Sequence, residues 1–369
     1  MFVGITNSPR DYAWGSRGEI SALLGLEASG AIEAELWLGA HPGSPSRIVG
    51  SEETLIDVVG GRLPFLLKVL AAGSALSLQA HPTAEQARAG FARENAAGIA
   101  LDAPNRNYKD EYPKPELIYA LSDEFDALCG FRSAASIRAV IDTLAPAPAL
   151  SDWRDRLSTD AAIRDVFEWL ITRGDGVDEL VSTVVALADG STPELETAAS
   201  LARDYPGDPG IVISLMLNRV TLTKGQVLSL PAGNVHAYLR GVGIELMTSS
   251  DNVLRGGLTP KHVDVGELLA VLDFRPVEVP YLVPKTPSSG VNVFRPEVPD
   301  FVLVTIEDEG SYELTGPGIA LCTDGDLEIV GRGAAYNLSR GDAVYITPDE
   351  GMLEFAGLGT VFLATTGRL

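Results

Sequence analysis

Cysteine is scarce in this chain: Cys129 and Cys322 are the only two in 369 residues. They lie far apart, which excludes a disulfide framework and suits a reducing compartment, so a cytoplasmic protein is expected. Histidine is limited to His41, His81, His236 and His262, and lysine to Lys68, Lys109, Lys114, Lys224, Lys261 and Lys285. Basic charge as a whole is short. The formal net charge of −22 argues against nucleic acid or an anionic membrane as a partner, although a small anion would still bind at a locally positive site. Long apolar runs are missing too: nothing approaches the roughly 20 uninterrupted apolar residues of a membrane span. The richest run, starting at Leu63, is broken by Lys68. The N-terminal stretch MFVGITNSPRDYAWG has neither a basic n-region nor an apolar h-region, so no signal peptide is expected.

What is present is an ordinary globular composition, 46% hydrophobic and 21% charged, on a chain long enough for two or three domains. Three textures follow one another. Up to about Leu121, short apolar and alternating runs punctuated by Gly and Pro read as strands and loops. From about Ser122 to Tyr205 the spacing turns helical, in SAASIRAVIDTL, IRDVFEWLITR, VDELVSTVVALA and PELETAASLARDY. From about Pro209 strands return, with turn signals at GDPG, TKGQ, PAGN, TDGD, SRGD and PDEG. Such spacing favours an antiparallel sandwich or barrel. An internal echo supports two related β units: TLTKGQVLSLPAGNVHAYL, from Thr221, aligns without gaps to NLSRGDAVYITPDEGMLEF, from Asn337. The second copy carries Met352 where the first has His236, so the first is expected to hold a site and the second to be structural.

The site is sought where polar residues enter apolar strands. In LSLQAH, Leu76, Leu78 and Ala80 alternate with Ser77, Gln79 and His81, which puts the polar set on one face and demands something opposite it. Gly73 to His81 reads G-x5-Q-x-H and Gly225 to His236 reads G-x5-P-x-G-x2-H. These resemble the two motifs of cupin jelly-roll barrels, with Gln79 in place of the usual first histidine. The expected fold class is therefore mainly β: two cupin-like jelly-roll β-barrels with an inserted α-helical domain. Residues 1–121 and 207–284 would form the catalytic barrel, 122–206 the insertion, and 285–369 a metal-free C-terminal barrel. Two imidazoles and an amide, completed by one carboxylate, suit Zn²⁺ or another first-row divalent ion. Glu85 has the cupin spacing, but Thr83-Ala-Glu-Gln86 reads as a capping box opening a helix, which would leave Glu85 solvated. Glu116, entering the strand of YPKPELIYAL behind Lys114, is the favoured carboxylate. His41 and His262 lack such context and are read as structural or supporting.

The segments YAWGSRG, AELWLGAHP, LPFLLKVLAAGSALSLQAHP, NYKDEYPKPELIYAL, LPAGNVHAYLRGVGIELMTSSDNVLRGGLTPKHV and DVGELLAVLDF together resemble the type I phosphomannose isomerases, in the family's order from Tyr12 to Phe274. The resemblance implies one Zn²⁺ held by Gln79, His81, Glu116 and His236, and reversible interconversion of mannose 6-phosphate and fructose 6-phosphate. It also implies that Trp14, Glu35, Lys68, Ser77, Lys114, Tyr238, Glu245, Asp251, Arg255 and Lys261 line or support the cleft. Some members have a histidine before the KPE motif, at times proposed as a catalytic base; here Pro113 stands in that place.

An aldose–ketose isomerase must move a proton between neighbouring carbons and stabilise the enediolate formed on the way. Arg255, always cationic, is expected to steady that charge or the phosphate. Lys114 gains weight as the base, with Asp251 and Glu245 as rivals. Lys68, interrupting an apolar run, is expected to bind phosphate, with Ser77 and Lys261 or Arg255 assisting. Trp14 and Trp37 read equally as cleft wall or core. The competing functions are a cupin oxygenase using Fe²⁺ and a non-catalytic sugar-phosphate-binding protein. The expected partner is a small-molecule sugar phosphate, bound by a monomer.

Overall fold

A computed structural model describes residues 1–28 and 30–367. The apolar run forms the strand Phe65–Ala72, buried at every position. Its period of two divides the side chains. Phe65, Leu67, Val69 and Ala71 pack with Phe301, Leu303 and Phe362 of the C-terminal half. Lys68 therefore faces the other way, toward the interior of the N-terminal half.

Around this strand builds a nine-stranded antiparallel sheet. Its spine runs Leu217–Leu222, Phe125–Phe131, His236–Thr248, Phe65–Ala72, Glu35–Leu38. The strand His236–Thr248 changes partners along its length. Its first part pairs with Phe125–Phe131, and from Gly241 onward it pairs with Phe65–Ala72 on one edge and Glu116–Ala120 on the other. The switch falls at a register shift between Tyr238 and Arg240, next to Gly241 at φ 123°. A Cβ at Gly241 would stand 2.8 Å from the Phe125 ring, so only glycine makes this bend without displacing that ring.

The second sheet has ten strands, ordered along Lys285–Ser288, Val291–Phe294, Val302–Glu307, Met352–Thr365, Gly318–Val330, Ala343–Ile346, Phe2–Thr6 and Arg47–Ile48. The first strand of the chain joins this sheet. Phe2–Thr6, assigned to the N-terminal unit, hydrogen-bonds in register with Ala343–Ile346 of the C-terminal sheet. Neither sheet closes into a barrel by strand pairing among the described residues, since the long strand branches instead of returning to the first. The internal echo does correspond to a repeated strand–turn–strand–turn–strand unit. Leu217–Leu222, Val227–Leu230 and His236–Thr248 match Ala335–Ser339, Ala343–Ile346 and Met352–Thr365, and Gly225 and Gly341 both take left-handed backbone at 91° and 93°.

Helices Ala134–Ile141, Pro148–Arg156, Ile163–Ile171, Val177–Leu187, Pro193–Asp204 and Gly210–Ser214 lie between the paired strands Phe125–Phe131 and Leu217–Leu222. Ser133 and Thr192 accept from backbone N–H groups three residues on, opening two of them. Their apolar faces meet around Trp153, Phe167, Leu180 and Leu201, continuous with Phe131 and Leu217 of the sheet. The helical texture begins later than Ser122: Phe125–Phe131 is a strand, whose alternation is masked because nearly all of it is buried. No helix among the described residues is long and apolar enough to cross a membrane.

Candidate metal centre and cleft

Three buried side chains converge at strand ends. Glu116 opens the strand Glu116–Ala120, His236 opens His236–Thr248, and His81 directly follows the short strand Gln79–Ala80. Gln79 is the register partner of both His236 and Arg255. His81 Nε2 lies 3.2 Å from Glu116 Oε1, and His236 Nε2 lies 3.3 Å from Glu116 Oε2. The ligand atoms of His81, Glu116 and His236 all fall within 4.8 Å of one another.

The tautomers follow from the other ring nitrogens. His81 Nδ1 is 2.8 Å from the Asn252 carbonyl oxygen and His236 Nδ1 is 3.0 Å from that of Asn234. A carbonyl only accepts, so each Nδ1 carries the hydrogen and each Nε2 presents a lone pair. Both Nε2 atoms and Glu116 Oε2 are buried without a hydrogen-bond partner. Protonation would relieve this, but burial, reinforced by Lys114, pushes the His81 imidazole down to about 4. Burial alone would raise Glu116; Lys114 and the two histidines overcome it and hold the carboxyl well below its usual range. Two imidazole Nε2 atoms and an ionised carboxylate gathered at one point form a donor set that a divalent cation satisfies. Glu85 takes no part. It is exposed in the first turn of the helix Ala84–Ala96, whose Thr83–Gln86 capping box forms as the sequence predicts.

A cleft of about 590 Å³ reaches this cluster at Glu116 and takes in Gln79 as well. Of the sequence-predicted residues, Trp14, Glu35, Lys68, Ser77, Gln79, Lys114, Glu116, Glu245, Arg255 and Lys261 line it. Lys114 Nζ is 2.8 Å from Glu116 Oε1. Lys68 Nζ is 2.9 Å from Glu245 Oε2 and 3.4 Å from Glu35 Oε1, and the Trp37 indole donates to Glu35 Oε2 at 2.8 Å. These contacts run across three strands, because Trp37, Lys68 and Glu245 are register neighbours. Burial raises the Glu245 carboxyl, with Lys68 opposing. Burial opposes the charge on Lys68, yet Glu245 and Glu35 raise its pKa. Arg255 and Lys261 are different: no carboxylate pairs with either among the described residues, and burial lowers the pKa of both, with Arg255 adding to the effect on Lys261. Two unneutralised cations mark one end of the cleft; the other end carries compensated charge.

Two expected residues do not line the cleft. Tyr238, two residues after His236 and so on the same strand face, is buried beside the cluster, 6.1 Å from the His236 ring and edge-on to Phe125; burial, with Glu245 and Glu116 nearby, raises its hydroxyl. Asp251 lines a separate cavity of about 330 Å³, 3.4 Å from His41 Nε2, whereas Val253 and Arg255 line the cleft. Trp37 is buried behind Glu35 and is not a cleft wall. His41 plays the supporting part expected of it, accepting from the Gly43 N–H at 3.1 Å. The sequence reading missed Asp204 and Tyr205, which bring the end of the helix Pro193–Asp204 into the cleft; the Tyr205 hydroxyl donates to the Ala75 carbonyl at 2.9 Å. The Tyr-Pro-Gly stop after that helix was the available signal.

Fold and cleft define a mainly β protein with a buried His–Glu–His cluster beside a partly cationic opening. Residues 2–134 match the model of the type I phosphomannose isomerase catalytic domain. Mannose-6-phosphate isomerase of Escherichia coli K12 is 34% identical over 381 residues, covering 96% of this chain and 97% of its own, and that of Bos taurus is 31% identical over 92% of each. The crystal structure of a mannose 6-phosphate isomerase bound with zinc and yttrium superposes over 100% of both chains with a TM-score of 0.91 at 33% identity. A zinc-bound holo structure of a mannose 6-phosphate isomerase gives 0.90 at 33%. The chain belongs to the type I phosphomannose isomerase family.

Proposed function

We infer that this protein interconverts mannose 6-phosphate and fructose 6-phosphate reversibly, with one Zn²⁺ held by Gln79, His81, Glu116 and His236. The observation carrying this reading is the convergence of two orphaned, buried Nε2 atoms on the Glu116 carboxylate, which itself lines a cleft shared with Arg255 and Lys261. Gln79 supplies the fourth donor because its register with His236 and its place in the cleft bring its amide to the same level. The bound ion would act as a Lewis acid on the sugar's carbonyl and hydroxyl oxygens and stabilise the enediolate charge.

The chain's own residues supply the rest. Lys114, ion-paired to Glu116 and lining the cleft, is best placed to move the proton between C1 and C2 once its ammonium has given up its own proton. Glu245, whose burial favours its protonated form, can hold a proton at the Lys68 end. Its place in the cleft favours it over Asp251, which reaches the chemistry only through a chain movement. Arg255 and Lys261 take the phosphate with Ser77. Lys68 is committed to two carboxylates and orients sugar hydroxyls instead of phosphate. Trp14 forms a wall, stacked on Tyr12 at 5.8 Å.

The same reading treats residues 1–121 and 207–284 as the catalytic cupin-like unit, with the first strand lent to its neighbour. Residues 122–206 are the helical insertion and 285–369 a C-terminal β unit. The repeated strand unit and the helices placed between two paired strands support that division. The test is a coupled assay for fructose 6-phosphate formed from mannose 6-phosphate. Turnover supports the reading, and binding without turnover would leave only a sugar-phosphate-binding protein.

A further inference from the structure

Asn252 has no solvent exposure, and its side chain uses every hydrogen-bonding position it has. Oδ1 accepts from the backbone N–H of Lys109 at 2.7 Å and of Asp110 at 3.2 Å. Nδ2 donates to the carbonyls of Asp110 and Tyr112, each at 2.9 Å, with Asp110 Oδ1 at 3.1 Å. The neighbours tighten the same corner: the Ser250 hydroxyl donates to Asp110 Oδ1 at 2.8 Å and the Asp251 N–H to Asp110 Oδ2 at 2.9 Å.

The residue also reaches the donor cluster through its backbone. Its carbonyl accepts His81 Nδ1–H at 2.8 Å, which is what turns His81 Nε2 toward Glu116. The segment it clamps, 109–112, leads directly into Lys114 and Glu116. The strand it precedes, Leu254–Arg255, pairs with Ala80 and Gln79. Two sequence-distant pieces, one carrying Gln79 and His81 and the other Glu116, are thus referenced to one residue. No other residue type reproduces this. Aspartate has no hydrogens for the two carbonyls and would face the Asp110 carboxylate, glutamine is a methylene too long, and an apolar residue strands buried backbone groups.

We propose that Asn252 is the positioning residue of the metal centre, setting the His81 tautomer and the approach of Glu116 together. The assignment rests on the reading that the cluster holds a divalent ion. It concerns this chain's affinity for that ion, not turnover alone. Outer contacts of this kind are worth about tenfold to hundredfold in metal affinity.

The test compares wild type, Asn252→Asp and Ser250→Ala with Val184→Ala, a buried change in the helical core that lowers stability far from the site. Zinc affinity is measured by competition with a chromophoric chelator, below the melting temperature of every variant. Ligand geometry is read from the absorption spectrum after Co²⁺ replacement. Asn252→Asp should weaken zinc binding by about tenfold to hundredfold and change the Co²⁺ spectrum, while Val184→Ala leaves both as in wild type. If Asn252→Asp does not fold, Ser250→Ala, which removes the hydroxyl that donates to Asp110 and accepts the Asn252 N–H in the same corner, should still weaken zinc binding measurably. Unchanged affinity in the folded Asn252 or Ser250 variants, or an equal loss in Val184→Ala, overturns the assignment. Wild type that binds zinc but does not isomerise defeats the catalytic reading alone; wild type that binds no divalent ion defeats both.

Discussion

Glu245 Oε2 lies 2.9 Å from Lys68 Nζ, and the two are direct cross-strand partners in a fully buried row that Trp37 completes. With Glu35 also at hand, the ammonium already has two carboxylates to answer it. A phosphate dianion approaching Lys68 would meet both acids. Removing Lys68 is consequently a stability experiment more than a substrate-affinity experiment. Lys68→Met leaves two acids without their cation and should cost about 3–5 kcal/mol, seen as a lower denaturant midpoint. By contrast, Lys261→Met should raise KM for mannose 6-phosphate about tenfold or more with little loss of stability. The reverse pattern would return the phosphate to Lys68.

The two candidate carboxylates make a matched pair. Glu116→Ala should abolish zinc retention through gel filtration and reduce activity to background, since Glu116 is the charged member of the buried donor set. Glu85→Ala, altering an exposed position in a helical first turn, should leave both nearly intact. Metal analysis of the two purified variants decides between them.

Neither thiol should report on the native protein. Burial pushes Cys129 up to about 12 and Cys322 up to about 11, so at pH 8 almost no thiolate forms at either. A disulfide reagent should titrate no cysteine in the folded state and two after unfolding in guanidinium. Reaction in the folded state should rise only as pH climbs toward 11. Rapid labelling at pH 8 would contradict the burial of both.

Helix propensity and packing give opposite forecasts at Gly90, inside the helix Ala84–Ala96. Alanine there would gain about 1 kcal/mol of helix propensity. Its Cβ, however, would come within 2.3 Å of the Tyr108 ring, which is fully buried and tied by its hydroxyl to Glu267 at 2.5 Å. Overpacking of about 1–3 kcal/mol should win, so Gly90→Ala is expected to lower the melting temperature. A stabilised variant would mean that Tyr108 can yield.

Local periodicity made much of the site legible. Alternation in LSLQAH separated Gln79 and His81 from Leu78 and Ala80, and the capping box at Thr83 disqualified Glu85 before any fold was known. What stayed hidden depends on register between distant strands. Nothing near Lys68 in sequence shows that Glu245 and Trp37 flank it, so its charge read as available. Asn252 gave no periodic signal, because its partners at 109–112 lie far away in the chain. The fate of Phe2–Thr6 was hidden for the same reason: its five residues alternate equally well for either sheet, and only pairing with Ala343–Ile346 chooses. Asp251 lies in irregular chain ahead of the strand Leu254–Arg255, where no periodicity tells that it lines a different cavity from Arg255, four residues on.

The central claim is that one divalent ion sits among Gln79, His81, Glu116 and His236. Crystals grown with zinc, measured on both sides of the zinc absorption edge, test it directly. The account predicts a single anomalous peak bounded by the side-chain oxygen of Gln79, both histidine Nε2 atoms and the Glu116 carboxylate. An anomalous map with no peak there, or with zinc bound only elsewhere, would contradict it.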